Sequence, residues 1–280
     1  MIICNTTGGF GNHLLCVALA IIISDKYNIK IKIIGNGNGL NDFSKDTRNT
    51  IFKIINKNII TNENHNHNNI TINNKTEYYE ALNNYNYNFN YIINCIHINE
   101  LNIYKDNIYT INNNILINKT FDYDYENTIT ISLRLGCKGE VVYPSPFADE
   151  ESVRLPFNYF SQGINTIKKN NPNINTILIC CDNFEDEFIK QFEIYKKSGF
   201  NIIFNKKDTY HQFCDIINSK YFITSLSTFS LWGVLLNNNN CYVPCFNHNL
   251  SIKKNIGTEA FYINASSTFY NMKNVTRIYI

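Results

Sequence analysis

The sequence predicts an α/β protein made of two doubly wound, Rossmann-like domains, and three observations carry that expectation. A strand, a glycine-rich turn, a helix and a second strand follow one another between Met1 and Ile34, which is a βαβ unit opening a parallel sheet. From Thr128 to Cys245 short apolar runs alternate with helical patterns, the signature of a second sheet of the same kind. Between them the periodicity fades, and the boundary falls near Asn118 to Asn127, dividing the chain into 1–125 and 126–280.

In the first domain Met1 to Cys4 reads as a strand and Asn5 to Gly11 as a turn. The helix expected from Asn12 to Tyr27 carries Leu14, Leu15, Val17, Leu19, Ile21 and Ile22, apolar nearly all round, as for a helix buried against a sheet. Ile29 to Ile34 is the next strand and Gly35 to Leu40 a turn. Beyond Asn41 asparagine interrupts every pattern: Arg48 to Ile60 is read as a helix, Tyr91 to Ile98 and Asn107 to Ile111 as strands, and Asn62 to Asn74 as a solvated loop. His65 and His67 lie in that loop without third and fourth ligands, so no metal site is expected there.

The second domain is sharper. Thr128 to Leu135 is a strand, Gly136 to Pro156 a loop with three prolines, Phe157 to Lys169 an amphipathic helix and Thr176 to Cys181 an apolar strand ending at Asp182. Glu185 to Ser198 is a helix, Asn201 to Phe204 a strand and Tyr210 to Ser219 a helix. The strand Tyr221 to Ile223, the hydroxyl-rich turn Thr224 to Thr228 and the dense apolar helix Phe229 to Leu236 follow. Cys241 to Cys245 is a strand, and Thr258 to Ile280 mixes a short strand with a tail.

Composition narrows the function classes. The net charge is +2, and no Lys/Arg cluster is interleaved with aromatics, so nucleic acid is not an expected partner. Asparagine makes up about one residue in six, the imprint of an A+T-rich genome; the N-x-T triplets at Asn69, Asn74 and Asn118 therefore carry no weight. Nine scattered cysteines, several inside apolar segments (Cys95, Cys180, Cys181, Cys214), suggest a reducing compartment. The start lacks a signal-peptide pattern and no run reaches the ~18 apolar residues of a membrane span, so a soluble cytoplasmic protein is expected. Oligomeric state has no signal in the sequence.

Four groups of residues could carry chemistry. Tyr221 to Leu236 is a strand, polar turn and helix whose first N–H groups sit at the positive end of a macrodipole, where a phosphate fits. The turn Gly8, Gly9, Phe10, Gly11, Asn12 either admits close approach of backbone to a ligand or is a plain helix start; Leu14 stands where a dinucleotide fingerprint needs its third glycine. Arg134, at the carboxyl end of a buried strand, either receives a pyrophosphate or forms a structural salt bridge. Asp182, at another strand tip, either accepts from a base or ribose or caps the helix after it. Asp122-Tyr123-Asp124 has the form of a metal-binding DxD, but no apolar strand leads into it and it is discounted.

In order, these pieces resemble the α-1,2-fucosyltransferase family and, more distantly, the wider fucosyltransferase superfamily. The family's GGLGNQ-like turn has its counterpart in Gly8-Gly9-Phe10-Gly11-Asn12-His13, its HxRRGD-like strand end in Ser132-Leu133-Arg134-Leu135-Gly136-Cys137. Its FSDD-like strand end corresponds to Cys180-Cys181-Asp182-Asn183, and its STFSWW motif to Ser227-Thr228-Phe229-Ser230-Leu231-Trp232. Asp215 falls where the family has an acid ahead of the strand that leads to this last motif. Ser132, Leu135, Cys137 and His13 stand where the family has His, Arg, Asp and Gln; Lys138 is placed to restore part of the lost charge.

The resemblance implies a GT-B fold, two Rossmann-like domains facing across a cleft. It also implies an inverting, metal-independent transfer of fucose from GDP-fucose or a related GDP-sugar to a glycan hydroxyl, with no cofactor. Arg134 and the N–H groups of Ser227, Thr228 and Phe229 would stabilise the charge that grows on the leaving phosphate. Asp182 would read the nucleoside, Gly9 and Gly11 would let backbone approach the donor, and Asn12 and His13 would face the sugar and the acceptor hydroxyl. An inactive nucleotide-sugar binder and a Rossmann dehydrogenase are the alternatives.

Overall fold

The structure, a computed structural model, describes residues 1–6, 9–35, 50–51, 53–63, 66–94, 101–117, 122–135, 155–245 and 272–279. The chain divides into two compact units, Met1–Ile117 and Asn118–Ile280. Each is α/β and each is built on an all-parallel sheet, as the alternating patterns require.

The first unit carries the strands β1 (Ile2–Thr6), β2 (Ile31–Gly35), β3 (Asn68–Ile72) and β4 (Phe89–Asn94), in the order β2-β1-β4-β3. Helix α1 (Phe10–Tyr27) connects β1 to β2 and is buried from Phe10 to Ser24 on nearly every face, because it lies between the sheet and the later helices. Helices α2 (Lys75–Asn83), α3 (Leu101–Asp106) and α4 (Ile108–Asn114) follow in this unit. Helix α2 opens with a reciprocal cap: Asn74 Oδ1 accepts from Glu77 N at 3.0 Å, and Glu77 Oε2 accepts from Asn73 N at 2.6 Å.

The second unit holds β5 (Thr128–Leu133), β6 (Thr176–Cys181), β7 (Asn201–Phe204), β8 (Tyr221–Ile223), β9 (Asn240–Cys245) and β10 (Val275–Tyr279). Helices α5 (Phe157–Asn170), α6 (Thr209–Asn218) and α7 (Thr228–Leu236) and a 3₁₀ segment, Glu187–Ser198, connect them. Read outward from β5, three strands run one way and three the other, β10-β9-β8-β5-β6-β7. That is the doubly wound dinucleotide-domain order, and its reversal falls between β5 and β8, where a ligand is expected beyond the carboxyl ends. Every residue of β5 is buried, as befits the central strand.

Several expectations for the Asn-rich region are corrected. Asn107 to Ile111 is the start of helix α4 and not a strand: Ile111 and Asn114, one turn apart, are buried and the helix packs on α1, so tertiary contact overrides the β-branched composition. The expected loop from Asn62 to Asn74 contains strand β3, which pairs with β4 through its backbone while only Ile72 of its five residues is buried, so no alternation marks it. The expected helix from Arg48 to Ile60 is helical near Ile51 and Ile54 and then gives way to a 3₁₀ turn at Lys57–Ile59. Helix α1 begins at Phe10, two residues earlier than Asn12, and the segment after Asp182 is 3₁₀ with Asp186, not Asp182, as its cap. Gly8, His65, Cys95, Gly136, Cys137, Lys138, most of the loop before Pro156, and 258–271 lie outside the described residues.

Candidate functional site

The carboxyl edge of the second unit brings together four of the residues singled out in the sequence. Strands β5 and β8 are neighbours, in register Ile131↔Ile223, so the residues just after each lie side by side at the reversal of strand order. On β5 these are Arg134 and Leu135; after β8 comes the turn Thr224 to Ser227 and then α7. On the other flank β6 pairs with β5 through Leu133↔Cys181, which sets Asp182 beside Arg134.

Arg134 and Asp182 are paired. Arg134 Nη1 donates to Asp182 Oδ2 at 2.6 Å, and the other carboxylate oxygen accepts from Leu135 N at 2.8 Å. The arginine side chain is 34% exposed and the aspartate 15%, so the guanidinium reaches the surface and the carboxylate sits beneath it. Of the two readings open for Arg134, the salt bridge is present; an exposed guanidinium edge keeps it compatible with the other. Asp182 does not cap the segment that follows. Apolar side chains, among them Leu155, Phe160 and Phe188, line the depression around Arg134 and Ser225.

Helix α7 is fixed from its first residue. Ser227 is the N-cap, with Oγ accepting from Ser230 N at 3.1 Å. Ser230 Oγ lies 2.9 Å from Ser225 Oγ, 3.0 Å from Ser227 Oγ and 2.9 Å from Ser132 Oγ on β5. These four hydroxyls join the end of β5 to the turn and to the helix; Ser132, Ser225 and Ser230 are buried. Of these serines the sequence marks Ser227 as a site residue; Ser225 and Ser230 lie within one turn of it, but Ser132, 98 residues from Ser230, joins them only through the pairing of β5 with β8. Gly233, two turns in, is packed so closely that a Cβ would meet Ile216 Cγ2 at 2.6 Å and Phe222 Cε1 at 2.7 Å.

The helix amides are not equivalent. Ser227 N donates to Ser225 O at 3.1 Å, so this amide is already used inside the turn. The Thr228 N–H has no partner in the chain among the described residues, at the first position of a nine-residue helix. Phe229 packs its ring on Phe213 of α6 with centroids 5.5 Å apart, which anchors the first turn sideways.

Beside the site lies a buried carboxylate. Asp215, on α6, is fully buried; Tyr125 OH donates to its Oδ1, Asn205 Nδ2 donates to Oδ2 at 2.7 Å, and Lys207 Nζ is 3.5 Å away. Lys207 also donates to Asp122 at 2.8 Å and sits 4.5 Å above the Tyr123 ring. Burial works against the Lys207 ammonium, but Asp122 and Asp215 outweigh it and hold its pKa above the usual lysine range. Asp122, exposed, has its carboxyl held low by the bond to Lys207. The first acid of the DxD run is thus committed to a lysine.

In the first unit the matching edge is built from amides. Asn5 at the end of β1 and Asn94 at the end of β4 are register partners, with Asn5 Nδ2 donating to Asn94 Oδ1 at 3.0 Å and Asn94 Nδ2 to Asn73 Oδ1 at 2.6 Å. Asn5 Oδ1 is buried without a hydrogen-bond partner among the described residues. Gly9 precedes α1 with an extended backbone, φ −75°, and its carbonyl accepts from Asn12 N at 3.0 Å and His13 N at 3.2 Å. Among the described residues a Cβ on Gly9 would touch nothing within 4 Å, and its φ of −75° is open to any residue. Gly11 is buried in the first turn, Asn12 is half-buried, and His13, 4% exposed, lies in the interior.

No protein-family model matches the sequence, and no curated protein matches it at a significant level. Among solved structures the chain is similar to a mutant of Arabidopsis thaliana FUT1 in complex with GDP, with a TM-score of 0.48 and 9% identity over 86% of this chain and 69% of that one. It is similar to POFUT1 in complex with GDP, with a TM-score of 0.46 and 8% identity over 85% and 94% of the two chains. It is also similar to the E. coli heptosyltransferase WaaC with ADP, with a TM-score of 0.49 and 8% identity over 99% and 92%. These are likenesses of overall fold. Among the described residues no helix is long and apolar enough to cross a membrane.

Proposed function

We propose that the chain is a glycosyltransferase that takes its sugar from a nucleoside-diphosphate donor, and that the donor's diphosphate binds at the carboxyl edge of the second unit. The observation that carries this reading is that Arg134, just after β5, and the turn into α7, just after the neighbouring β8, leave the same carboxyl edge at the reversal of strand order, with Ser132 and Ser230 bonded between β5 and α7 at 2.9 Å. A guanidinium and the Thr228 amide, unpaired among the described residues, at the same sheet edge favour negative charge there. The motif resemblance supports GDP-fucose, or a related GDP-sugar, as the donor and a glycan hydroxyl as the acceptor.

In the proposed reaction the acceptor oxygen bonds to the anomeric carbon as the bond to the diphosphate oxygen breaks, inverting that carbon. The bonding electrons leave with GDP, charge gathers on its β-phosphate as the bond breaks, and the acceptor hydroxyl gives its proton to water. Arg134 and the Thr228 N–H are placed to stabilise that charge as it develops, without metal or cofactor. Gly9, Gly11 and Asn12 are assigned to the donor sugar and acceptor. The burial of His13 argues against its use as the base that takes the acceptor proton.

The same burial favours a second reading, nucleotide-sugar binding without turnover. GDP release from a panel of sugar donors separates the two. The transferase reading expects release from GDP-fucose or a related GDP-sugar, a fall of about a hundredfold or more in Arg134→Ala, and little change in Asp122→Ala. Tight GDP binding with no release supports the binder, and protection by NAD instead of GDP would overturn both.

A further inference from the structure

We infer that Asp182 is a positioning residue that aims Arg134, and that it does not read the nucleoside. The inference rests on the proposed binding of a diphosphate at this edge. Its ground is the way the carboxylate is divided: one oxygen takes Arg134 Nη1 at 2.6 Å and the other takes the amide of the next residue, Leu135, at 2.8 Å. A single carboxylate thus holds both the side chain and the backbone of consecutive residues immediately beyond β5. Strand pairing delivers it there, since Leu133↔Cys181 is the last register pair of β5 and β6 before both strands end.

The placement runs against simple electrostatics. A carboxylate in contact with the one arginine at this edge among the described residues opposes the approach of an anion, and a site selected for charge alone would omit it. An unbraced arginine, however, must lose the freedom of a long side chain when it grips a ligand, and a guanidinium already held in place has less to lose. The half-buried aspartate, 15% exposed against 34% for the arginine, is the deeper partner, as a brace beneath a binding group should be. Each of its two oxygens already takes a bond from the chain, both within the same strand end, and nothing in this geometry favours the nucleoside role assigned from sequence.

The sign of one substitution tests this. Affinities for GDP and for inorganic pyrophosphate would be measured by titration calorimetry on the whole chain, comparing wild type with Asp182→Ala, Asp182→Asn, Arg134→Ala and the Arg134→Ala/Asp182→Ala double variant. The brace predicts that Asp182→Ala weakens both ligands to a similar degree, by about tenfold, the scale of one lost charge-assisted hydrogen bond. In the double variant the loss should not exceed that of Arg134→Ala alone. Tighter binding in Asp182→Ala would overturn the inference in favour of simple repulsion, and weakened GDP with unchanged pyrophosphate would restore the nucleoside reader. Asp182→Asn, equal in volume and keeping one acceptor, guards against misfolding and should fall between wild type and alanine. If wild type binds neither ligand, the diphosphate site fails, and the brace is judged on the Arg134 guanidinium NMR signals alone. Hindered rotation in wild type that is lost in Asp182→Ala supports the brace, and free rotation in wild type refutes it.

Discussion

Helices α1 and α7 both leave the carboxyl edge of a parallel sheet, but they begin in different ways. Helix α7 starts on Ser227, whose hydroxyl caps Ser230 N, and a chain of serine hydroxyls ties that turn back to β5. Helix α1 starts on Gly9, with no side-chain cap and open space where a Cβ would stand. The edge beside α7 carries a charged pair, Arg134 and Asp182, whereas the described edge of the first unit is a row of neutral amides, Asn5, Asn94 and Asn73. The contrast is between an edge held by its own side chains, where the diphosphate is proposed to bind, and a helix start at Gly9 with no side-chain cap.

Substitutions can break this contrast. The largest expected effect is at Asp215→Ala, which strips a fully buried carboxylate from Tyr125, Asn205 and Lys207. Chemical denaturation should show a loss of about 3 kcal/mol. Next is Gly233→Ala. The added methyl would press on the Phe222 ring of β8, which has no flexible end to move, and a loss of about 2 kcal/mol is expected with weakened GDP binding as α7 shifts.

Ser227→Ala removes only the cap and should cost about 1 kcal/mol, read as a lower Tm. The smallest effect is expected at Gly9→Ala, where φ is compatible with alanine and nothing is crowded: stability should hold or rise by about 0.5 kcal/mol. A marked loss of turnover in that stable variant would show that the glycine serves a ligand. Full activity would mean that the start of α1 is an ordinary helix end and that the contrast between the two edges has no functional side.

Legibility in the sequence followed composition. Of the 50 asparagines, 28 lie before residue 118, and there β3 and α4 were misread and α2 went unread. Asparagine is poor at signalling burial, so the edge strand β3, with one buried residue in five, shows no alternation. In the second unit the expected strands Thr128 to Leu135, Thr176 to Cys181 and Tyr221 to Ile223 are apolar or hydroxyl-bearing and bounded by turns, and all three are strands, the first ending at Leu133. Arg134 and Ser227 were visible as a strand-end arginine and a hydroxyl before a dense apolar helix. Their connection was not, because the Ser230 to Ser132 bond spans 98 residues and depends on β5 and β8 being neighbours, which only the strand order reveals. The bond between Arg134 and Asp182 likewise needed the β5 and β6 register.

The most direct measurement is a crystal structure of the chain with GDP. The diphosphate is expected within hydrogen-bond distance of the Arg134 guanidinium and the Thr228 N–H, with the bond between the Ser132 and Ser230 hydroxyls unbroken. A diphosphate lodged away from α7, with Arg134 turned to Asp182 alone, would contradict it.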